Sequence, residues 1–226
     1  MLNISSRLRC FRVSMHLSRF SQWGRVLRFS GKFSTLESLL GRVHEVASDK
    51  RMAFQARLKN FLRLGLIDDV KAGRGKAAKF EAEHILMLAL AIELSQIGVS
   101  PEKAVSIIRN NISKIAAAVL VSVSSTKNGF GNDWSPTVIY FDPKALSSLT
   151  LDDQSVAEVK FSNVEQFKLA FRDTISDQTR LAVISLTAMI VRLADGLDEN
   201  PNFPTGVFFA TALLTWARQY DLDPQT

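Results

Sequence analysis

Residues 82 to 97, AEHILMLALAIELSQI, place the hardest constraint on how this chain folds. Read as a helix, with about 100° between successive residues, Ile85, Leu86, Met87, Leu88, Leu90, Ile92, Leu94 and Ile97 point in every direction. A helix that is apolar all round has to be covered all round, either inside its own domain or by a second copy. At 16 residues, with Glu83, His84 and Glu93 on board, it is not a membrane span. Gly98 ends it. Ser100-Pro101-Glu102 then opens another helix with a capping hydroxyl, a proline at the first helical position and an acid near the positive end of the dipole. Val105, Ile107 and Ile108 supply the buried side of that helix.

Upstream lies a segment of opposite character. A helix from about Met52 to Leu64 places Phe54, Leu58, Phe61 and Leu62 on one face, and Ala56, Lys59, Asn60 and Arg63 on the other, flanked by Gln55 and Arg57. The apolar face docks on a core. The outer face pairs small residues with the side-chain types that read base edges in a major groove. Taken alone, such a helix is as readily a solvated surface helix. Gly65 then stops it in the manner of a left-handed cap, and Leu66-Ile67 is short and apolar. The run Asp68 to Phe80 has the composition of a small two-stranded wing with a Gly-Arg-Gly-Lys tip at residues 73–76, glycines permitting close backbone approach. The spacing of a phosphate-cradling P-loop is absent. From Lys50 to Lys79 there are nine Lys or Arg against two Asp, a local excess of +7 that exceeds the +6 of the whole chain. A basic patch shared by a helix and a wing is the electrostatic footprint of a DNA binder.

The segments LKNFLRLGLI, GRGKAAKF and EHILMLALAIELSQIGVSPEKAVSII, in that order, resemble the DNA-binding domain of the MerR-type regulators. In that family a recognition helix ends in LRxYExxGL, a wing follows, and a later pattern reads dlxxLxxIxxLrxlGfsleeIk. Leu58 to Leu66 occupies the first pattern, with Asn60–Leu62 around the positions where the family has tyrosine and glutamate. Ile97 to Val105 occupies the last. The likeness covers roughly residues 45–110, under a third of the chain. The long dimerising coiled coil and the cysteine effector site of many members have no counterpart. The resemblance implies a bacterial transcription regulator, hence a cytoplasmic, nucleoid-associated protein. It would bind double-stranded DNA through a winged helix-turn-helix, act as a homodimer, and have RNA polymerase or another regulator as a further partner. Gln55, Lys59, Asn60 and Arg63 would face the major groove. Arg51 and Arg57 would hold flanking phosphates, and Arg74, Lys76 and Lys79 would grip the backbone from the wing.

Charge is unevenly spread over the 226 residues. Residues 1–33 hold seven basic residues and no acid, and what remains outside the basic unit has 12 basic against 20 acidic residues. The first 33 residues are expected to be poorly ordered. Their Arg- and Ser-rich composition resembles a transit peptide. It fits equally a start assigned upstream of Met15, or a basic arm that touches DNA. Three parts are therefore expected: residues 1–33 as a basic extension, 34–111 as the DNA-binding unit and 112–226 as an α+β domain for effector sensing, dimerisation or partner binding. In the second part, Ser34 and Glu37 form a capping box for a first helix to about Asp49 with the stripe Leu36, Leu39, Leu40, Val43, Val46, Ala47. Ser48-Asp49 breaks it and caps the next helix.

Beyond Ile112 the texture becomes β-rich. Residues 117–124 (AAVLVSVS) and 137–141 (TVIYF) read as strands joined by a turn-rich connection, and 156–161 (VAEVKF) as a third. Asn163 caps a helix through Phe171 or a little further. Residues 180–186 read as a fourth strand passing into a helix to Leu193, or as one buried helix, which periodicity does not separate. Gly206 to Tyr220 is a last amphipathic helix. The expected class is α+β: a mostly helical winged helix-turn-helix followed by a smaller α+β domain with an antiparallel sheet.

Catalytic chemistry has no constellation to rest on. His16, His44 and His84 lack metal-ligand spacing, and no nucleophile elbow, HExxH or dinucleotide fingerprint occurs. The lone Cys10 excludes an intramolecular disulfide and multi-cysteine zinc sites, with a reducing compartment as the default. Asp68-Asp69 and Asp152-Asp153 suit loops or caps. Asp195, Asp198 and Glu199 suit a solvated acidic turn better than a cation site. Phe130, Trp134, Tyr140 and Phe141 suit core packing better than a ligand pocket. The expectation is a non-enzymatic protein without cofactor, metal or membrane association. Two other function classes fit the same patch: an excisionase-like or architectural DNA-binding protein of a mobile element, and a protein-interaction module with an acidic partner.

Overall fold

A computed structural model describes residues 30–68, 79–127, 136–142, 158–177, 181–199 and 205–221. The basic extension up to residue 29, the tip and most of the expected wing (69–78), and Phe130 and Trp134 lie outside these residues. Among the described residues the architecture is α+β, with eight α-helices and a three-stranded antiparallel sheet.

The chain enters helix α1 (Phe33–Val43) through Lys32, which caps it without a side-chain hydrogen bond. Ser34 is therefore not the cap, and the expected capping box does not form. The helix is also shorter than its apolar pattern. Glu45 adopts φ 55 and lets the Val46 N–H bond the Gly41 carbonyl at 2.7 Å, closing the last turn before Val46 and Ala47 are reached. A single 3₁₀ turn, Ser48–Lys50, leads into α2 (Arg51–Arg63), whose N-cap is Lys50 rather than Ser48 or Asp49. Gly65 at φ +78 ends α2 as expected. Its N–H bonds Leu62 and the next N–H bonds Phe61, both at 3.1 Å, so the terminal carbonyls are satisfied without an intruding Cβ. The all-round apolar helix is α3 (Ala82–Gln96), closed in the same way by Gly98 at φ +89. Ser100 caps α4 (Pro101–Asn110) by accepting the Lys103 N–H at 3.3 Å, with Pro101 at the start.

Residues 117–124 are not a strand. They form the middle of α5 (Ile112–Lys127). Ile115, Ala118, Val119 and Ser122 are buried at helical spacing, and the Ser122 hydroxyl donates to the Ala118 carbonyl at 2.8 Å. Small residues on this face let α5 lie along the last helix, α8 (Gly206–Asp221), and that tertiary contact overrides the β preference of Val119, Val121 and Val123. The sheet is built from β1 (Thr137–Phe141), β2 (Lys160–Asn163) and β3 (Ala182–Ser185), with β1 in the centre. Ile139 pairs with Phe161 on one side and Ile184 on the other. β2 starts four residues later than the expected third strand. Asn163 caps α6 (Val164–Asp177) by accepting the Gln166 N–H at 2.8 Å. β3 passes directly into α7 (Leu186–Asp198), with the Ser185 hydroxyl as the cap.

Helix α3 is covered by α1, α2, α4 and α8 of its own chain, so no second copy is needed to bury it. Its buried residues run into one continuous core that extends to α5, α7, α8 and the sheet. The expected boundary at residues 111–112 falls between two helices that both contribute to that core. Two contacts tie the parts closely. Gly196 of α7 meets α1 so tightly that an added Cβ would lie 2.9 Å from Leu39 Cδ1 and 3.2 Å from Val43 Cγ2. The buried Asn111 side chain donates to the Ile107 carbonyl at 2.9 Å and accepts the Val159 N–H at 3.1 Å, pinning the chain before β2 to the α4–α5 corner.

Two substitutions test this packing in denaturant unfolding. Gly196→Ala is expected to cost about 1–3 kcal/mol through overpacking against α1. Asn111→Leu is expected to cost about 1–3 kcal/mol by leaving the Val159 N–H buried without its acceptor.

Candidate nucleic-acid interface

The amphipathic pattern of α2 decides which side chains it offers. Leu58 and Phe61 are fully buried, and Phe54 and Leu62 pack on the same core. Arg51, Ala53, Ala56, Arg57, Lys59 and Arg63 are exposed, while Gln55 and Asn60 are half-buried. Met52 is 79 % exposed, adding an apolar side chain to the polar face. Lys79 is exposed at the return of the 69–78 segment, whereas Arg74 and Lys76 lie outside the described residues.

The structure links four of the candidates in two pairs. The Lys59 ammonium donates to Gln55 Oε1 at 3.0 Å, and the Arg63 guanidinium donates to Asn60 Oδ1 at 2.8 Å. Neither bond neutralises charge. Among the described residues, Arg51, Arg57, Lys59 and Arg63 form no ion pair. Arg57 sits on the far flank of the helix from Gln55 and Lys59, which follows from the 200° that two helical steps turn.

The described residues on either side of 69–78 lie close to α2. Gly31 and Phe80 form an antiparallel bridge with both N–H···O bonds at 2.9 Å, so the chain entering α1 pairs with the chain returning from that segment. The Phe33 and Phe80 rings lie 6.0 Å apart, and the Lys59 ammonium sits 5.9 Å from the Phe33 ring centroid. That distance suits a cation–π contact. Phe80, Phe33 and Lys59 of α2 are therefore neighbours. At the other end, Arg109 of α4 pairs with Asp68 at 2.8 Å and donates to the Gly65 carbonyl at 2.6 Å, which engages one of the two acids in this basic region.

Sequence reading missed Glu37 and Phe33. Glu37 was assigned to a helix cap, yet its carboxylate accepts from Gln55 Nε2 at 2.8 Å, joining α1 to α2. Phe33 opens α1 and forms the aromatic floor under Lys59. The only local hint was the place of Gln55 on the edge of the apolar face of α2, where a side chain meets the neighbouring helix. His44 is also less simple than a surface histidine. Its side chain is 2 % exposed, with Nδ1 3.3 Å from the Glu93 carboxylate, and the hydrogen bond from His44 holds the Glu93 pKa below the usual carboxylate range.

The remaining candidate clusters are structural. Tyr140 and Phe141 are buried in β1, and Tyr140 packs edge-on to Phe167 of α6 at 5.0 Å. Asp198 accepts the Gly206 N–H at 2.7 Å and Glu199 pairs with Arg42 at 3.2 Å, while burial and these two neighbouring acids raise the Asp195 pKa. Among the described residues no group of His, Cys, Asp and Glu could hold a metal ion. No single helix there is long and apolar enough to cross a membrane. Comparison with protein-family models, with characterised proteins and with solved structures gave no match.

One carboxyl at the start of α3 titrates in the neutral range. Burial pushes Glu83, in the first turn of α3, from 4.5 to about 7, against the pull of a backbone hydrogen bond and with Glu81 adding to the rise. A raised carboxyl pKa means that the folded protein holds a proton the unfolded chain releases, so stability falls as pH rises through the window from 4.5 to about 7. Thermal melts across that window are expected to show this loss. Glu83→Gln is expected to flatten it and to be the more stable form at pH 8.

Proposed function

We propose that the chain is a sequence-selective duplex DNA-binding protein, and that α1, the 3₁₀ turn and α2 work as a MerR-like helix-turn-helix with residues 69–78 as its wing. The observation that carries this reading is the shared exposure of Lys59 and Arg63 on one face of α2, beside the half-buried Asn60. Neither cation has an ion-pair partner among the described residues, and Lys59 lies beside the Phe33–Phe80 pair. Exposed cations without carboxylate partners bind a polyanion by displacing its counterions, and little internal structure has to be broken first. Asn60 and Arg63 then offer an amide and a guanidinium to base edges. Arg51 and Arg57, on the flanks, contact phosphates, and Arg74, Lys76 and Lys79 grip the neighbouring backbone.

A single helix of 13 residues selects too few bases to find one site in a genome, so two copies act on adjacent half-sites. On this reading the protein is a bacterial transcription regulator working in the cytoplasm, with the part beyond α4 answering to an effector or to another protein such as RNA polymerase.

Filter binding over a salt series tests the proposal. Intact protein is expected to lose affinity for duplex DNA steeply as salt rises. Arg51→Ala and Arg57→Ala are each expected to reduce the log–log slope by about one. Binding without salt dependence overturns the proposal. So does an acidic protein ligand that bulk duplex DNA does not displace.

A further inference from the structure

The Gln55 side chain is held from both sides by partners that dictate its orientation. A carboxylate only accepts and an ammonium only donates. Glu37 therefore requires the amide nitrogen of Gln55, at 2.8 Å, and Lys59 requires its oxygen, at 3.0 Å. The opposite rotation would set oxygen against carboxylate and nitrogen against ammonium, so the amide has one way round. An amide has two N–H donors and two acceptor lone pairs. The clamp uses one of each. What remains is one donor and one acceptor, the complement of the N7 acceptor and N6 donor on the major-groove edge of adenine. The clamp also spans two elements, since Glu37 belongs to α1 and Gln55 and Lys59 to α2.

We propose that Glu37 is a positioning residue for base selection: through its bond to Gln55 it sets the amide to read adenine at one position of the DNA site. This rests on the duplex-binding reading and adds to it the identity of one base and the residue that enforces it. Glu37 touches no base itself. Without it the remaining partner is Lys59, an exposed ammonium on a long side chain that follows the oxygen, so the Gln55 amide rotates about its broad, roughly two-fold terminal torsion and presents donor and acceptor in either order. Discrimination at that base pair is then lost, while the rest of the site is read as before.

The test is selection from a randomised duplex pool by the intact protein and by Gln55→Ala, Glu37→Ala and Glu37→Gln. Glu102→Ala, which removes an exposed acid of α4, serves as the control. The intact protein is expected to select adenine at one position by roughly tenfold or more. Gln55→Ala and Glu37→Ala are both expected to reduce preference there to about twofold or less, and at no other position. Glu37→Gln is expected to keep the preference, because its amide oxygen still accepts from Gln55 Nε2. Glu102→Ala is expected to leave the profile unchanged. Full adenine preference in Glu37→Ala at the position that Gln55→Ala relaxes overturns the inference, and so does an even loss over several positions, which marks a merely structural role. In either case duplex binding by the intact protein still stands. If the intact protein selects no sequence and shows no salt-dependent duplex binding, both proposals fall.

Discussion

The fold depends on burying α3. A helix with apolar side chains in all directions is stable only when every side is covered. Nine of its 15 residues are buried, and each fully buried Leu or Ile contributes about 1.5–3 kcal/mol relative to exposure. That requirement brings α1, α2, α4 and α8 onto its surface. The basic helix is rigid for this reason. Leu58 and Phe61 anchor it to the same core, and its polar face is what the core cannot accept. The electrostatic character of that face is thus a by-product of hydrophobic packing one layer below.

Helix α1 joins the first helices to α7. Its inner face packs on α3 and on Gly196 of α7. Its C-terminal end carries three polar residues that reach α3 and the α7 region. Arg42 donates to the Gly196 carbonyl and pairs with Glu199 at 3.2 Å, His44 meets Glu93 at 3.3 Å, and Glu45 pairs with Arg192 at 3.1 Å. The two surface ion pairs, Arg42–Glu199 and Arg192–Glu45, are worth about 0–1 kcal/mol each. The close helix contact at Gly196 therefore does most of the holding. Through Glu37, α1 also holds Gln55 of α2.

Much of this organisation was legible beforehand where the cause is local. The apolar run of α3, the glycines at positions 65 and 98, the Ser100-Pro101 start of α4, the Asn163 cap of α6 and the central strand at 137–141 all follow from periodicity or from a single residue's stereochemistry. The outward direction of Lys59 and Arg63 followed equally, because Leu58 and Phe61 leave them no other side. Errors arose where a distant partner decides. Residues 117–124 satisfy strand and helix patterns alike, and their contact with α8, some ninety residues later, selects the helix. Glu37 looked like a capping residue because the side chain it actually meets lies 18 residues away.

The sequence by itself determined the segregation of charge, the surfaces that had to be buried and the ends of most helices. These depend on side-chain type and backbone stereochemistry, which each residue carries with it. Tertiary structure alone decided whether α5 would be a helix, that the chain could cover α3 without a second copy, and that Glu37, Gln55 and Lys59 would form one chain of hydrogen bonds. Those outcomes are relations between segments far apart in the chain, and they exist only once packing has set the distance between them.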